Sequence, residues 1–572
     1  PRMSKRRKTE SSSEHTLSNG RANGSGCRTN DSGQPGSTVP LWLAAALGVG
    51  ALIVAFILYS PALNGPFVFD DLGLPFFAPS FAQHTIDSWL SGVRPLLMLS
   101  YWIDFQVSGR NPWTYHVVNV LMHVVNSLLV FVVLSRILRL QAIDNRRSLW
   151  FSAIAASIFL VHPLQTEAVA YIAGRSELVC GFFILAALAV FCNPAFVTLS
   201  WRPAVLILLL YCAAVLSKEQ AAVLPAVFLI IDMVFRRLSF RESLRHGARL
   251  YGPITVVGVL AIAGVFALLA RSSSAGFNVS GMQWYEYLFT QFRVWLLYLR
   301  LALLPFRQNA DYDIALSHHL GEHGSAVALL ALLAGAFAIW RFRNRLPLLF
   351  GGMLIFGILL APTSTLVPIQ DLAAERRMYL PLLGLLLGVI QLLLRLRSSE
   401  GLTVGLVAYL LICSALTYER TKVWGSDIAF WSDTVAKSPG KERGYTHLTY
   451  AYVRAHRCSE AVTTAQGAPE WVRDTPEFLG MLGHAYSCDQ KIPEAVKAFE
   501  RAVQVAPAVG RYLALASAYR QAGRIQEAEA AEQEGLKLEP QTPYDLAMVD
   551  ALKAREQSRS RTAPPGAVRR AQ

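Results

Sequence analysis

The sequence predicts an all-α protein in two parts: a polytopic membrane helical bundle of about 11 spans, then an α-solenoid of repeated helix pairs. Three observations carry that reading. The 572 residues are 53% hydrophobic and only 16% charged, with a positive mean hydropathy, the profile of a membrane protein rather than a soluble one. Eleven apolar runs alternate with connections that are in turn basic and chemically mixed. Beyond Glu419 the composition becomes that of a soluble helical domain, and tyrosines recur at a fixed interval.

The organisation that follows has four parts. Residues 1–39 are rich in Ser, Gly and Asn around Lys5-Arg6-Arg7-Lys8 and read as a disordered basic cytoplasmic tail. Residues 40–420 form the multispanning domain, 421–554 the repeat domain, and 555–572 a basic, Pro-containing disordered end. Met3 is a candidate start. The run from Leu41 to Tyr59 lacks a convincing small-residue cleavage site, so it reads as a retained span rather than a cleaved signal.

The apolar runs are 40–60, 115–138, 148–163, 178–197, 203–217, 220–235, 250–271, 323–341, 346–362, 379–395 and 402–418. Several are short, as expected of helices that tilt or end inside protein. The net charge of +14 invites a nucleic-acid reading, but its placement fits topology instead. Arg136/Arg139/Arg146/Arg147, Arg202, Arg236/Arg237/Arg241/Arg245/Arg249, Arg341/Arg343/Arg345 and Arg395/Arg397 all fall in alternate connections. With the basic N-terminal tail they mark one cytoplasmic face, which puts the repeats on the other side. Membrane lipid, not nucleic acid, is the expected surrounding.

The repeat signal is specific. Tyr452, Tyr486 and Tyr519 lie 34 and 33 residues apart, inside Leu448-Thr-Tyr-Ala-Tyr452, Leu482-Gly-His-Ala-Tyr486 and Leu515-Ala-Ser-Ala-Tyr519. The second unit runs on through Ala495-Val-Lys-Ala-Phe499 to Pro507, and the third ends at Pro540. Small residues where helices meet, aromatics filling the gap and Pro closing each unit are the tetratricopeptide pattern. Such an array offers a groove for an extended peptide or partner protein, or acts as a structural cap. Cys458 and Cys488 fall within it and can pair in an oxidising compartment. Cys180, Cys192, Cys212 and Cys413 lie in apolar runs and read as packing residues.

The mixed connections hold the chemistry. Asp70 and Asp71 follow a Gly-Pro pair about ten residues beyond the first span, and adjacent carboxylates beside hydrocarbon point to a task. In a loop they face different ways, so one can meet a substrate while the other binds backbone or a cation; the alternative is a carboxylate pair capping a surface helix. Flanking Phe69 and Leu72 favour a raised pKa and base work. Arg94 lies in the same connection. His116, Asn119, His123 and Asn126 form a polar stripe on one face of the second span, directed at the bundle or a cavity. Interhelical hydrogen bonding explains the stripe at least as well as ligand contact. The two His are not read as metal ligands, because no carboxylate joins them.

His162-Pro-Leu-Gln-Thr-Glu167 and Gly174-Arg175-Ser-Glu177 make the second outer loop, and Ser217-Lys218-Glu219-Gln220 a tight outer turn. Lys218 and Glu219 read either as an interfacial ion pair or, with Lys218 turned inward, as a point charge for phosphate. The stretch Trp284 to Phe306 carries Arg293 and Arg300 among aromatics and reads as an interfacial helix. Arg376 and Arg377 precede the tenth run, where two adjacent guanidinium groups suit phosphate; the alternative is that they are snorkelling anchors.

Phe67-Val-Phe-Asp-Asp71, Tyr115-His-Val-Val-Asn119, His162-Pro-Leu-Gln-Thr-Glu-Ala-Val-Ala170, Gly174-Arg-Ser-Glu177, Leu216-Ser-Lys-Glu-Gln220 and Ala374-Glu-Arg-Arg-Met-Tyr379 occur in this order. Together with the repeat tail they resemble the C-type integral membrane glycosyltransferases. The likeness is to the transmembrane and tetratricopeptide-repeat O-mannosyltransferase group and its bacterial relatives, over roughly residues 40–545. The resemblance implies inverting transfer of a sugar, mannose in that group, from a polyprenyl-phosphate donor to an acceptor on the non-cytoplasmic face. Protein Ser/Thr hydroxyls brought in by the repeats are the first expectation for the acceptor, with lipid and cell-wall glycan left open.

By the same resemblance Asp70 is the base and Asp71 its neighbour. Arg94, His116, His162, Glu167, Arg175, Lys218, Arg293, Arg376 and Arg377 are the candidate contacts to substrate or lipid phosphate. No cofactor or divalent metal is expected; the lipid-linked sugar is a co-substrate. The expected setting is a bacterial inner membrane with periplasmic repeats, or the endoplasmic reticulum membrane if the chain is eukaryotic. The competing reading is a membrane-anchored repeat scaffold for envelope or polysaccharide assembly without catalysis.

Overall fold

The computed structural model describes residues 41–77, 85–90, 92–270, 275–396 and 399–540, with Leu546, Val549, Asp550 and Leu552. The tails expected at 1–39 and 555–572 lie outside them. Among the described residues the regular structure is helical, with one isolated bridge between Ala275 and Ile369.

Each of the eleven apolar runs is wholly or largely helical. Their ends follow local chemistry. Asn111 accepts a hydrogen bond from the Trp113 N–H at 3.1 Å and Pro112 opens the long helix Pro112–Leu140. Asp144 caps Asn145–Val161 through the Arg147 N–H at 3.0 Å, and Ser399 caps Glu400–Val423 through Leu402 at 3.1 Å.

Among the described residues five helices are long and apolar enough to cross a bilayer: Ala45–Ala62, Pro112–Leu140, Ala248–Ala267, Glu322–Arg341 and Glu400–Val423. Asn145–Val161 with Pro163–Ala170, bent by 51°, is a sixth if the pair counts as one span. The expected eleven therefore exceed what length and composition support. Leu382–Leu393 has 12 residues, a rise of about 18 Å against about 30 Å of hydrocarbon. The run at 220–235 is not one helix: a 3-10 turn (Glu219–Val223), a short helix (Leu224–Ile230) and a π turn (Ile231–Phe235) share it, with Pro225 in the first helical turn.

The chain is a multi-pass membrane protein. Large apolar side chains stand exposed along the outer helices, among them Ile53, Val259, Phe266, Leu330, Phe337 and Leu411, a coat that lipid can cover. Helices inside the bundle approach closely at glycine: a Cβ on Gly352 would lie 2.3 Å from the Gly384 carbonyl oxygen.

The polar stripe of Pro112–Leu140 faces the bundle and is buried throughout. His116 Nε2 lies 3.1 Å from the Gly65 carbonyl, and Asn119 Nδ2 donates to the Val169 and Tyr171 carbonyls at 3.2 and 3.1 Å. His123 bridges the Tyr379 hydroxyl (3.0 Å) and the Leu160 carbonyl (3.1 Å). Asn126 donates to the Leu178 carbonyl at 2.9 Å and the Tyr379 hydroxyl at 3.0 Å. These bonds tie five stretches of chain to one helix face, which is the interhelical alternative weighed above.

The three repeat tyrosines lie on the first helices of successive pairs, Glu442–Arg454, Pro476–Cys488 and Val509–Gln521. Gly483 meets Phe499 of the following helix so closely that a Cβ would sit 2.7 Å from the ring. This is the small-against-aromatic contact that the pattern implies. Cys458 and Cys488 are disulfide-bonded, with Cα atoms 5.3 Å apart. A further helix, Asp427–Lys437, precedes the first pair, and here the repeat region packs on the loop that carries Gln308 and Asp311. The Ser438 hydroxyl donates to the Asp311 carbonyl at 2.6 Å, and Lys437 Nζ to the Gln308 carbonyl at 2.7 Å.

Candidate active site

The segment Phe67 to Gly73 turns back on itself just past the first span. Asp71 makes the turn. Its carboxylate is fully buried and accepts from the Val68 N–H at 3.0 Å and the Ala173 N–H at 2.7 Å. Burial raises its pKa well above the ordinary carboxylate range, against the pull of those two N–H groups and of Arg175. The raised carboxyl expected in this pair is thus the one held inside the protein.

Asp70 is exposed and points the other way, into a cavity of about 710 Å³. Its own N–H donates to the Tyr171 hydroxyl at 2.8 Å. No cation among the described residues pairs with its carboxylate. Phe69, one residue earlier, has φ +49°, the left-handed region that a bulky side chain rarely adopts. It is held there by rings: Trp431 at 4.9 Å, Phe430 at 5.2 Å and Tyr171 at 6.1 Å between centroids.

The same cavity gathers five cations from distant parts of the chain: Arg94, Lys218, Arg376, Arg377 and Arg443. Arg94 grips Glu219 with both ends of its fork, Nε–Oε2 at 2.9 Å and Nη2–Oε1 at 2.6 Å. Burial works to raise the Glu219 carboxyl, but the charge and hydrogen bonds of Arg94, with help from Lys218, bring it down to about 2. Lys218 pairs with Glu177, whose other oxygen accepts from Gln220 Nε2 at 2.6 Å. The Lys218–Glu219 pair allowed for above does not form. Lys218 is extended (φ −161°, ψ 131°), so its side chain and its neighbour's leave on opposite sides.

Arg376 is held by Glu167, which takes its guanidinium at 2.5 Å and its backbone N–H at 3.2 Å. The guanidinium carbon also lies 5.6 Å from the Tyr171 ring centroid, so Tyr171 touches both Asp70 and Arg376. Among the described residues Arg377 is hydrogen-bonded by neutral groups, chiefly the carbonyls of Asp371 (2.6 Å) and Thr363 (3.0 Å) and the Tyr287 hydroxyl (3.2 Å). No carboxylate among them pairs with it directly, although the charge of Asp371 acts on it.

Of the residues expected to contact substrate, Asp70, Arg94, Lys218, Arg376 and Arg377 line the cavity. Asp71, His116, His162, Glu167, Arg175 and Arg293 do not. His162 is buried between the Leu164 N–H and the Ala302 carbonyl, at 3.2 and 3.1 Å. Arg175 is fully buried against Asp104 at 2.6 Å and Asn119 at 2.7 Å. Arg293 turns away to the Ala315 carbonyl and the Ser317 hydroxyl. Glu167 acts through Arg376, and Asp71 through the loop that carries Asp70.

Sequence reasoning assigned no role to the lining residues Tyr171 and Arg443, the latter from the repeat region, and did not pair Glu219 with Arg94. The available signal for Arg443 was a charged triplet, Lys441-Glu442-Arg443, just after Pro439-Gly440 and ahead of the first repeat tyrosine.

No protein-family model matches the chain. Among curated proteins it is 26% identical over 447 residues to a protein O-mannosyl-transferase of Caenorhabditis elegans, F38B6.6, an alignment covering 72% of this chain and 61% of the relative. It is 28% identical over 279 residues to human TMTC4 (43% of this chain, 36% of the relative) and 33% identical over 196 residues to Drosophila melanogaster Tmtc1 (31% and 21%). Both are also named protein O-mannosyl-transferases. The chain thus resembles that group, and spans about three fifths of the C. elegans relative and less of the others.

Proposed function

We propose that this protein is an integral membrane glycosyltransferase, moving a sugar, mannose by analogy with its relatives, from a polyprenyl-phosphate donor to protein Ser/Thr hydroxyls. One observation carries the reading. A solvent-facing carboxylate without an ion-pair partner among the described residues, Asp70, shares a cavity with Arg94, Lys218, Arg376 and Arg377. A base for the acceptor hydroxyl and cations for the departing phosphate are the two elements that reaction requires.

In this scheme Asp70 removes the proton from the acceptor hydroxyl as its oxygen attacks the sugar C1. The bond from C1 to the phosphate oxygen breaks on the opposite face, so the configuration inverts. The phosphate leaves with its electron pair and needs charge stabilisation rather than a proton, which Arg376 and Arg377 supply. Arg94 and Lys218, each paired with a carboxylate, form the remaining polar wall, which is close to neutral.

An apolar groove of about 490 Å³ between Trp284–Leu303, Ser325–Arg341 and Pro347–Leu360 supports a lipid donor. It and the cavity are lined by neighbouring residues of one segment: Thr363 lines the cavity, and Ser364 and Thr365 line the groove. We assign it to the polyprenyl chain. The non-cytoplasmic setting rests on the alternating basic connections, the Cys458–Cys488 disulfide, and the contact of the repeats with the outer loops. A bacterial inner membrane with periplasmic repeats satisfies all three.

The test is transfer by the purified full chain in detergent from polyprenyl-phosphate-mannose to a Ser/Thr-containing acceptor protein. The glycosyltransferase reading expects a mannosylated product detectable by intact mass. A scaffold without catalysis gives none with any polyprenyl-phosphate sugar.

A further inference from the structure

A single chain of alternating charges runs from beneath the cavity into the repeat region. Glu167 pairs with Arg376 at 2.5 Å, and Arg376 lies 3.9 Å from Asp371. Asp371 meets Arg443 at 3.0 Å, Arg443 meets Asp311 at 2.8 Å, and Asp311 meets Lys441 at 2.6 Å. Arg443 has a second role. Its guanidinium carbon stands 4.8 Å from the centroid of Phe69, the left-handed residue that sets the direction of Asp70. Among the described residues it is the one member of the repeat region that lines the cavity.

Asp371 therefore sits between two guanidinium groups. While Arg443 holds it at 3.0 Å, it stays 3.9 Å from Arg376, so the guanidinium already shared with Glu167 is less neutralised than it would be if Asp371 closed on it as well. Burial works against the Asp371 carboxylate, but Arg443 and Arg376 together hold its pKa below the usual value, so it is ionised in this arrangement. Without Arg443 that full negative charge falls on Arg376. A lysine could not restore the geometry, since one ammonium cannot fork across Asp311 and Asp371 while lying on an aromatic face.

We infer that Arg443 is a positioning residue of the active site: by drawing Asp371 off Arg376 and holding Phe69, it makes the repeat region part of the phosphate-binding unit. This rests on the glycosyltransferase reading and adds a role for the repeats beyond acceptor capture. A residue that served only the fold would change how much protein is competent, not the affinity of the competent fraction.

The experiment measures binding of a short-chain polyprenyl phosphate, the leaving group itself, to the detergent-purified full chain by native mass spectrometry. Wild type, Arg443→Ala, Asp371→Asn, the double variant and Asp70→Asn are compared. Arg443→Ala is expected to weaken binding about tenfold, the scale of coupling between charged neighbours in one network. The double variant is expected to return to within about twofold of wild type, because the misdirected charge is gone. Asp371→Asn alone should bind at least as tightly as wild type, and it decides the matter if Arg443→Ala does not fold. Weaker binding by Asp371→Asn, or no rescue in the double variant, overturns the inference. Failure of both wild type and Asp70→Asn to bind overturns the functional reading, and the inference with it.

Discussion

The Asp71 carboxylate accepts the Ala173 N–H at 2.7 Å, and with the Val68 N–H on its other oxygen it fastens the turn that leaves its neighbour Asp70 facing the cavity. Two carboxylates one residue apart thus part ways: one builds the loop and the other faces the cavity.

That division gives the first prediction. Both partners of Asp71 are N–H donors, so an asparagine there satisfies one and turns its own NH2 against the other. Asp71→Asn should destabilise the protein by about 1–3 kcal/mol, the penalty for an unmet buried polar group. Thermal unfolding of the purified variant measures it. Asp70→Asn, at an exposed side chain, should unfold at the wild-type temperature.

A second prediction concerns pH. The Glu219 carboxyl, raised by burial but brought down further by Arg94 and Lys218, has a value of about 2 against an ordinary 4.5. The folded-state value lies below the unfolded one. Its contribution to stability is therefore full above pH 4.5 and is lost as the pH falls toward 2. Glu219→Gln should lower the unfolding temperature at neutral pH, and its difference from wild type should shrink steadily below pH 4.5. A gap that stays constant down to about pH 3 contradicts the pairing with Arg94.

The third prediction tests the compartment. Peptide mapping without reductant should recover Cys458 joined to Cys488 in protein taken from its native membrane. Replacing both with serine should destabilise the repeats by about 3 kcal/mol, as expected for a cross-link closing a loop of this length. Free thiols at both positions in native membranes would contradict an outward-facing repeat region.

Much of this was legible in the sequence, and the remainder was not for physical reasons. Periodicity carried the helices, the buried stripe from His116 to Asn126 and the repeat tyrosines, because those patterns are local. Asp70 and Asp71 could be singled out, but which of the two is buried depends on Ala173, a hundred residues away. The partner of Glu219 could not be read either: Lys218 is adjacent, yet Arg94 is 125 residues distant in sequence. Arg443 reaches the cavity only through docking of the repeat region on the outer loops, a contact between parts of the chain that no local spacing encodes. The number of spans was not legible for the opposite reason: composition marks a run as apolar without saying where a proline or a π turn divides it.

The most direct measurement is sugar transfer by the Asp70→Asn variant. Purified wild type and variant, matched for unfolding temperature and for binding of a short-chain polyprenyl phosphate, are supplied with polyprenyl-phosphate-mannose and an acceptor protein. The account predicts transfer by wild type and a loss of at least about a hundredfold in the variant, the range for removal of a general base. An Asp70→Asn protein that transfers mannose at the wild-type rate would contradict it.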